Sequence, residues 1–224
     1  MGRTDRRRAV AVVSGGLDSV VSLAAGLETH DVRLVLFFDY GQRARASERA
    51  SVIAVVSYYQ LPLREVDVRW LGSLSPAGMR AGADESAGEL RTLDEVWIPN
   101  RNGVFLNVAA AFAESYGCDL VLAGFNREEA VEFPDNAPAF VACVNEALAH
   151  STRGRVEVAS PTQDLDKREI LWRGIELGAP LSLIWSCYRS GERMCGRCAS
   201  CRRLRVALDA VPEERRPPIV FEDS

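Results

Sequence analysis

The chain has 224 residues, which is enough to bury one large apolar core, and no Pro-, Ser- or Gly-rich linker divides it. Its formal net charge of −4 disfavours non-specific binding to nucleic acids. No apolar run approaches the length of a membrane span, and the basic start at residues 3–8 precedes too short an apolar segment for a secretory signal. We therefore expect one domain over residues 1–224 in the cytoplasm, without a membrane or nucleic acid as partner.

The first element is an apolar strand at residues 10–13, which leads through a Gly-Gly turn into a helix. Adjacent glycines let the backbone approach an anion, and the amides at a helix N-terminus face that anion. Asp18 can hold Mg²⁺ or cap the helix. Because no Gly-Lys-Ser/Thr is present, the phosphate loop of nucleotide hydrolases is excluded. The pattern predicts a phosphate cradle that resembles the PP-loop of ATP pyrophosphatases. The resemblance implies that the residues that bind ATP are Ser14, Gly15, Gly16, Leu17, Asp18 and Ser19.

Strands and helices alternate beyond this turn. Residues 32–38 form a continuous apolar run, as expected of a strand that is covered on both faces, and a polar turn follows at 39–42. A helix over 47–59 and a strand over 63–68 come next. Residues 72–94 are rich in Gly, Ser and Ala, and two interpretations stay open for them: a disordered surface loop, or a lid over the nucleotide.

The second half of the chain continues the alternation. We predict helices at 104–116, 139–149 and 167–177, the last begun by Asp164 or Asp166, and strands at 119–124 and 156–158, with a polar loop at 126–136. This order predicts an α/β fold with a doubly wound parallel sheet, whose ligands bind beyond the carboxyl ends of the strands. The polar loops that follow inferred strands should therefore meet at one rim; they are residues 14–19, 39–42, 126–136 and 161–167.

Four cysteines with C-x7-C-x2-C-x2-C spacing lie near the end of the chain: Cys187, Cys195, Cys198 and Cys201. Four thiolates at this spacing suit a closed tetrahedral zinc site with a structural role. Disulfides would make strained small loops, whereas an iron–sulfur cluster uses the same ligands and stays open as an alternative. We predict a small zinc knuckle at about residues 185–203. Cys118 and Cys143 are predicted to be ordinary buried thiols.

In their order along the chain, these motifs resemble the QueC-type family of 7-cyano-7-deazaguanine synthases, which are PP-loop enzymes of queuosine-precursor synthesis. The resemblance rests on residues 14–19, 38–42, 99–102, 133–135, 164–167 and 185–188, with the three later cysteines. It implies an adenine nucleotide alpha hydrolase-like, Rossmann-like fold and a homodimer. It also implies a ligase that converts 7-carboxy-7-deazaguanine, ammonia and ATP to the nitrile through adenylated and amide intermediates, with release of AMP and pyrophosphate.

Such chemistry needs no covalent nucleophile, because positioning and screening of the phosphates supply the acceleration. We expect Asp18 to hold Mg²⁺ with ATP. Lys167 and Arg101 are the cationic candidates for the phosphates or the substrate carboxylate, and exposed helix-start charges are the alternative. Asp135 either accepts from the N–H edge of a guanine-like base or stabilises a turn. The full set of expected substrate contacts is Tyr40, Gln42, Arg101, Asn102, Asn126 and Asp135.

The chain departs from the family pattern at two places. Asn136 and Ala137 stand where the family commonly has Cys and Arg, and residues 99–102 carry Asn where Gly is usual. An enzyme that stops at the amide, or that joins a deazaguanine to another amine, therefore stays open. A tRNA-thiolating PP-loop enzyme and a nucleotide-binding module without turnover are further alternatives. The acidic charge and the lack of a recognisable RNA-binding appendage disfavour the tRNA enzyme.

Overall fold

A computed structural model describes residues 6–74 and 97–222 of the chain. Within them, five parallel strands form one sheet in the order β3-β2-β1-β4-β5. The strands are β1 (Arg8–Val12), β2 (Asp31–Asp39), β3 (Leu63–Asp67), β4 (Leu120–Leu122) and β5 (Glu157–Ala159). The chain runs outward from β1 to β3 and then crosses to the other side of β1. This order confirms the predicted doubly wound sheet and makes a crevice between β1 and β4.

The helices follow the predicted alternation with small shifts at their ends. Their bounds are α1 (Leu17–Thr29), α2 (Arg45–Tyr59), α3 (Arg69–Gly72), α4 (Arg101–Ser115), α5 (Arg127–Glu132), α6 (Pro138–Ser151), α7 (Lys167–Glu176) and α8 (Ala199–Asp209). Short 3₁₀ turns occur at Pro134–Asn136, Leu181–Leu183 and Glu213–Arg215. None of the helices in residues 6–74 and 97–222 is both long and apolar enough to cross a membrane.

The apolar core lies on both faces of the sheet, because successive strand residues point to opposite sides. Ala9 and Ala11 of β1 face the buried residues of α1, α2, α7 and α8. Val10 faces the other cluster, which α4 and α6 cover. Burial on both faces leaves the carboxyl rim of the sheet as the place where polar side chains gather.

The predicted polar loop at 126–136 is wrong in one respect, because it contains the helix α5. The side chain of Asn126 caps this helix by accepting a hydrogen bond of 2.8 Å from the backbone N–H of Glu129. Glu128 and Glu129 add negative charge to its first turn, where the helix dipole favours it. A helix of six residues is too short to show a hydrophobic period in the sequence.

Three further predictions have definite outcomes. Asp166 rather than Asp164 begins α7, where it forms a capping box with Glu169. Cys118 is buried as predicted, but Cys143 is exposed, because α6 turns Val144 and Leu148 toward the core instead. Most of the predicted loop or lid at 72–94 lies outside the described residues.

Candidate active site and cysteine cluster

The turn after β1 forms an open cradle at the start of α1. Gly16 is the N-cap of that helix and offers no side-chain cap, so the alternative of Asp18 as the cap is wrong: Asp18 lies in the first turn. The hydroxyls of Ser14 and Ser19 lie 3.2 Å apart, and Ser19 Oγ also accepts from the backbone N–H of Ser14 at 3.2 Å. Hydroxyls and amides thus converge at the positive end of a helix dipole, where an anion is stabilised.

Two glycines make the close packing of this cradle possible. Gly15 has a φ of +86°, and a Cβ there would lie 2.8 Å from Ser51 Oγ. Gly124 follows β4, and a Cβ at this position would lie 2.7 Å from the backbone nitrogen of Ser19. The end of β4 therefore touches the backbone of the cradle directly.

A cavity of about 260 Å³ opens at the carboxyl rim of the sheet beside the cradle. It brings together residues from all the loops that were expected to converge there. Of the expected site residues, those that line it are Ser14, Gly16, Leu17, Asp18, Ser19, Tyr40, Gln42, Arg101, Asn102 and Lys167. Behind this wall lie Gly15, Asn126 and Asp135, which hold lining residues in position.

Lys167 lies inside the cavity wall and contacts two carboxylates. Its ammonium group donates to Asp18 Oδ2 and, at 3.1 Å, to Glu129 Oε1. The Lys167 and Asp18 side chains are only 12% and 14% exposed, so the alternative of an exposed helix-start charge is wrong for Lys167. Burial lowers the pKa of Lys167, but the two carboxylates outweigh it and raise that pKa above its usual value. Lys167 is therefore a fixed positive charge.

One oxygen of Asp18 is available for a cation. Asp18 Oδ2 accepts from Lys167 and, at 3.2 Å, from Asn126 Nδ2. Asp18 Oδ1 is buried and has no hydrogen-bond partner among the described residues. Because buried carboxylate oxygens are normally paired, this atom fits a ligand of a hard divalent cation such as Mg²⁺.

The opposite wall carries Tyr40, Arg101 and a third carboxyl group, that of Glu48. The guanidinium carbon of Arg101 lies 5.7 Å from the centre of the Tyr40 ring, and burial raises the pKa of Tyr40 to about 12. Gln42 is 1% exposed and donates to Glu48 Oε2 at 2.8 Å. Burial raises the pKa of Glu48 to about 7, against the opposing effects of Gln42 and Arg101. Sequence reasoning singled out neither Glu48 nor Glu129.

Aromatic rings line the apolar part of the cavity. Phe38 and Phe105 stack with ring centres 4.2 Å apart and planes 8° from parallel. Tyr40 packs against Phe105 with ring centres 5.7 Å apart. Flat apolar surfaces of this kind suit a planar heteroaromatic ligand.

The two departures from the family pattern lie in well-ordered turns beside the cavity. Asn100 has a φ of +54°, in the left-handed region that Gly and Asn tolerate best, so Asn preserves the backbone conformation there. Asn136 lines the cavity and donates to Asp135 Oδ1 at 3.2 Å, while Asn102 Nδ2 donates to the Asp135 carbonyl at 3.1 Å. Asp135 is buried behind Asn136 and anchors it.

The four cysteines of the C-terminal cluster are all buried, and their sulfur atoms lie within 4.8 Å of one another. A tetrahedral ion with bonds of about 2.3 Å to sulfur places its ligands about 3.8 Å apart, and Cys195 Sγ and Cys201 Sγ lie 3.9 Å apart. In a [4Fe–4S] cluster each cysteine sulfur binds a different iron, and in a [2Fe–2S] cluster two sulfurs bind each iron, so both clusters place some of their cysteine sulfurs farther apart. The cluster is therefore sized to hold one metal ion.

The cysteine cluster adjoins the cradle. The backbone N–H of Trp185 donates to the Gly15 carbonyl at 2.8 Å, and that of Leu17 donates to Ser186 Oγ at 3.4 Å. Cys187 itself lines the cavity. A metal ion bound by the cysteines would therefore also order one side of the cradle.

Comparison with known proteins shows which family the chain belongs to. The profile of the family described as "Queuosine biosynthesis protein QueC" matches residues 8–211. The chain belongs to the QueC family. A 7-cyano-7-deazaguanine synthase of Pelotomaculum thermopropionicum is 48% identical over 215 residues, which cover 91% of this chain and 97% of the relative. The synthase of Carboxydothermus hydrogenoformans is 46% identical over 209 residues, or 89% of this chain and 97% of the relative.

QueC membership identifies the chain as an enzyme of queuosine biosynthesis and a carbon–nitrogen ligase, as the sequence predicted. It favours this function over tRNA thiolation. A solved structure of the U34-tRNA thiolase NcsA from Methanococcus maripaludis, with its [4Fe-4S] cluster, aligns with a TM-score of 0.52. That alignment covers 96% of this chain and 70% of the thiolase at 16% identity, so the two proteins share a fold.

Proposed function

We propose that this QueC protein joins ammonia to 7-carboxy-7-deazaguanine with ATP, and then dehydrates the amide to 7-cyano-7-deazaguanine. The observation that carries this proposal is the shared cavity of about 260 Å³. One end of the cavity has the helix N-terminus and serines that suit phosphates, and the other has Arg101 beside stacked aromatic rings. A nucleotide and a planar carboxylic acid can therefore meet in the same space.

At the nucleotide end, the proposed ATP contacts are the cradle residues at positions 14–19. Lys167 would neutralise phosphate charge, because its two carboxylate partners keep it protonated. Asp18 would hold Mg²⁺ through Oδ1, the buried oxygen without a partner. Such an ion screens the negative charge that builds up on the pyrophosphate leaving group.

At the acid end, Arg101 would pair with the substrate carboxylate before it is adenylated. The rings of Tyr40 and Phe105 would cover the face of the deazaguanine. Asn136 lines the cavity and would face the N–H edge of the base, and Asp135 would act on the base through Asn136, from which it accepts a hydrogen bond. Gln42 and Asn126 would position their neighbours: Gln42 through its bond to the Tyr40 amide at 3.0 Å, and Asn126 through Asp18.

The chemistry needs two activations of oxygen and no covalent nucleophile. A carboxylate oxygen attacks the α-phosphorus of ATP, and pyrophosphate leaves. Ammonia then displaces AMP from the acyl adenylate to give the amide. A second ATP adenylates the amide oxygen in the same cradle, and loss of AMP yields the nitrile. Preorganised charges around the phosphates supply most of the rate enhancement.

We assign zinc as the ion of the cysteine cluster, because four thiolates at this spacing close a tetrahedral structural site. Four backbone N–H groups point at cluster sulfurs at 3.3–3.5 Å, as expected around thiolates that bind a metal. We further propose that the protein acts as a homodimer in the cytoplasm, where ATP is available and thiols stay reduced. Sedimentation analysis measures the oligomeric state directly.

Exchange of labelled pyrophosphate into ATP tests the proposal, because it reports formation of the adenylate before any ammonia is added. We expect exchange in the presence of 7-carboxy-7-deazaguanine and none with guanine, which lacks the carboxyl group. An exchange rate that is the same with and without the acid would refute the proposed adenylation. So would a lack of exchange in protein that binds both ligands.

A further inference from the structure

Glu48 is a cavity-lining carboxyl group that has no role in the adenylation, amide formation and dehydration as proposed so far. It lies in the first turn of α2 and lines the cavity together with Gln42 and Arg101. Its backbone carbonyl lies 3.0 Å from the position that a Cβ of Gly15 would take, so Glu48 is next to the cradle. Glu48 therefore sits where the phosphate end of the cavity meets the acid end.

The partners of Glu48 differ from those of the other carboxylates in the cavity wall. Asp18 and Glu129 both contact the ammonium group of Lys167. Glu48 instead accepts one hydrogen bond, of 2.8 Å, from the neutral amide of Gln42. A hydrogen bond from a neutral amide lowers the basicity of a carboxylate less than an ion pair with an ammonium group does.

Among the described residues, the charged and titratable groups that act on Glu48 are Arg101 and Tyr40. Burial is the largest effect on Glu48 and raises its pKa to about 7, although Gln42 and Arg101 act to lower it. Tyr40 stays neutral, since burial raises its pKa to about 12. A carboxyl group near neutrality can both accept and release a proton, which is the requirement for a general base at physiological pH.

We propose that Glu48 is the general base that removes protons from nitrogen during amide and nitrile formation. This inference rests on the proposed function, which sets the substrate carboxyl group between the cradle and Arg101. The reacting carbon then lies beside the junction that Glu48 occupies. Glu48 is thus a catalytic residue, distinct from the groups that bind the phosphates.

The first proton removal follows the attack of ammonia. A bond forms between ammonia nitrogen and the carbonyl carbon of the adenylate, and the nitrogen becomes positively charged. Glu48 takes one proton from it. The bond between that carbon and the AMP oxygen then breaks, AMP leaves with the electron pair, and the amide remains. Glu48 returns its proton to solvent before the second ATP is used.

The second use of Glu48 is in dehydration. The amide oxygen displaces pyrophosphate from ATP, which leaves an adenylated imidate with two hydrogens on nitrogen. Glu48 takes both as protons, one after the other, and returns the first to solvent before it takes the second. The carbon–oxygen bond to AMP breaks as the carbon–nitrogen triple bond forms. No oxidant or reductant is needed, because the electron pairs stay with the nitrile and with AMP.

The Glu48→Gln variant separates the base from the structural role of this side chain. The side-chain amide oxygen of the new glutamine can still accept from Gln42, so the turn after β2 keeps its hydrogen bond to α2. We expect acid-dependent pyrophosphate exchange to persist, because adenylation requires no proton removal from nitrogen. Nitrile formation should fall by about 10²–10⁴-fold, the usual contribution of a general base. Glu146→Gln, an exposed substitution on α6, should change neither rate.

The pH dependence is a second readout, measured at a constant concentration of free ammonia. In the parent, nitrile formation should rise as the pH passes through about 7, because Glu48 must lose its proton to act. Glu48→Gln should lack that rise, and Glu48→Asp should restore part of the rate.

Different failures have different meanings in these assays. If exchange and nitrile formation fall together in folded Glu48→Gln, or if nitrile formation is unchanged, the base assignment is overturned. If Glu48→Gln does not fold, Glu48→Asp decides: a selective loss of nitrile formation supports the assignment, and an equal loss of exchange overturns it. Absence of acid-dependent exchange in the parent refutes the proposed function instead.

Discussion

The backbone N–H of Trp185 donates a hydrogen bond of 2.8 Å to the carbonyl of Gly15. This bond joins the segment that begins the cysteine cluster to the centre of the cradle at residues 14–19. Gly15 cannot easily be replaced, because of its φ of +86° and its contact with Ser51. The shape of the cradle therefore depends on both the glycine turn and the segment held by the cysteines.

We expect the purified protein to hold one zinc ion, bound by the four cysteines. Cys198→Ser should lose that metal and lower the melting temperature, because binding free energy of a structural zinc contributes to folding. ATP affinity should fall in parallel, since the Trp185 segment would loosen. Elemental analysis and thermal melting measure these effects.

Cys143→Ser is the matched control for this prediction, because Cys143 is exposed on α6. It should keep the metal content and melting temperature of the parent. Iron in place of zinc, or normal zinc content in Cys198→Ser, would contradict the assignment.

Asp18→Asn should preserve the fold but weaken magnesium-dependent activation. The amide is nearly the same shape, and Gly16 rather than Asp18 caps α1, so helix formation is unaffected. Loss of the carboxylate charge should raise the Mg²⁺ concentration required for pyrophosphate exchange by at least about tenfold. A magnesium titration of the exchange rate checks this. An unchanged titration curve would remove Asp18 from the metal site.

Lys167→Met should destabilise the protein in a pH-dependent way. It leaves Asp18, whose side chain is 14% exposed, and the partly buried Glu129 without their ammonium partner, at a cost of about 3–5 kcal/mol. Burial then raises their folded-state pKa values above those of the unfolded chain. Such groups do not destabilise the folded state at low pH, where they are protonated and neutral. They destabilise it increasingly as the pH rises from the unfolded-state pKa to the folded-state pKa.

The stability deficit of Lys167→Met relative to the parent should therefore be smaller at about pH 5 than at about pH 8. Urea unfolding of both proteins at the two pH values measures it. A deficit that does not vary with pH would show that the lysine acts through packing alone.

Asp135→Ala should weaken binding of the deazaguanine and leave ATP affinity unchanged. The substitution removes the acceptor of the Asn136 side chain, which holds Asn136 in the cavity wall against the proposed site of the base N–H edge. The loss should be about 1–3 kcal/mol, or about tenfold to a hundredfold in Kd. Calorimetry with each ligand separately is the measurement. Equal loss for both ligands, or no loss for either, would make Asp135 a structural residue only.

The fold could be predicted from the sequence because the long elements carry strong periodic signals. The apolar run of β2 and the Gly-Gly turn before α1 both lie where they were expected. The helix α5 was missed, since its one clear signal is the polar cap Asn126 in front of two glutamates. Such a pattern is equally typical of a loop.

The carboxylates of the cavity show the limit of sequence reasoning at the site. Asp18 has a local signal, because it follows two glycines after a strand. Glu48 and Glu129 resemble ordinary solvated charges near helix starts. Their place in the cavity arises from tertiary packing, which brings α2 and α5 against the cradle. No local pattern could distinguish them from exposed glutamates.

Mass spectrometry of the products formed from ATP, labelled ammonium and 7-carboxy-7-deazaguanine tests the central claim most directly. We predict that the labelled nitrogen appears first in the amide and then in 7-cyano-7-deazaguanine, with AMP and pyrophosphate as the nucleotide products. Accumulation of the amide alone with ATP in excess, or a labelled conjugate in place of the nitrile, would contradict the proposed reaction.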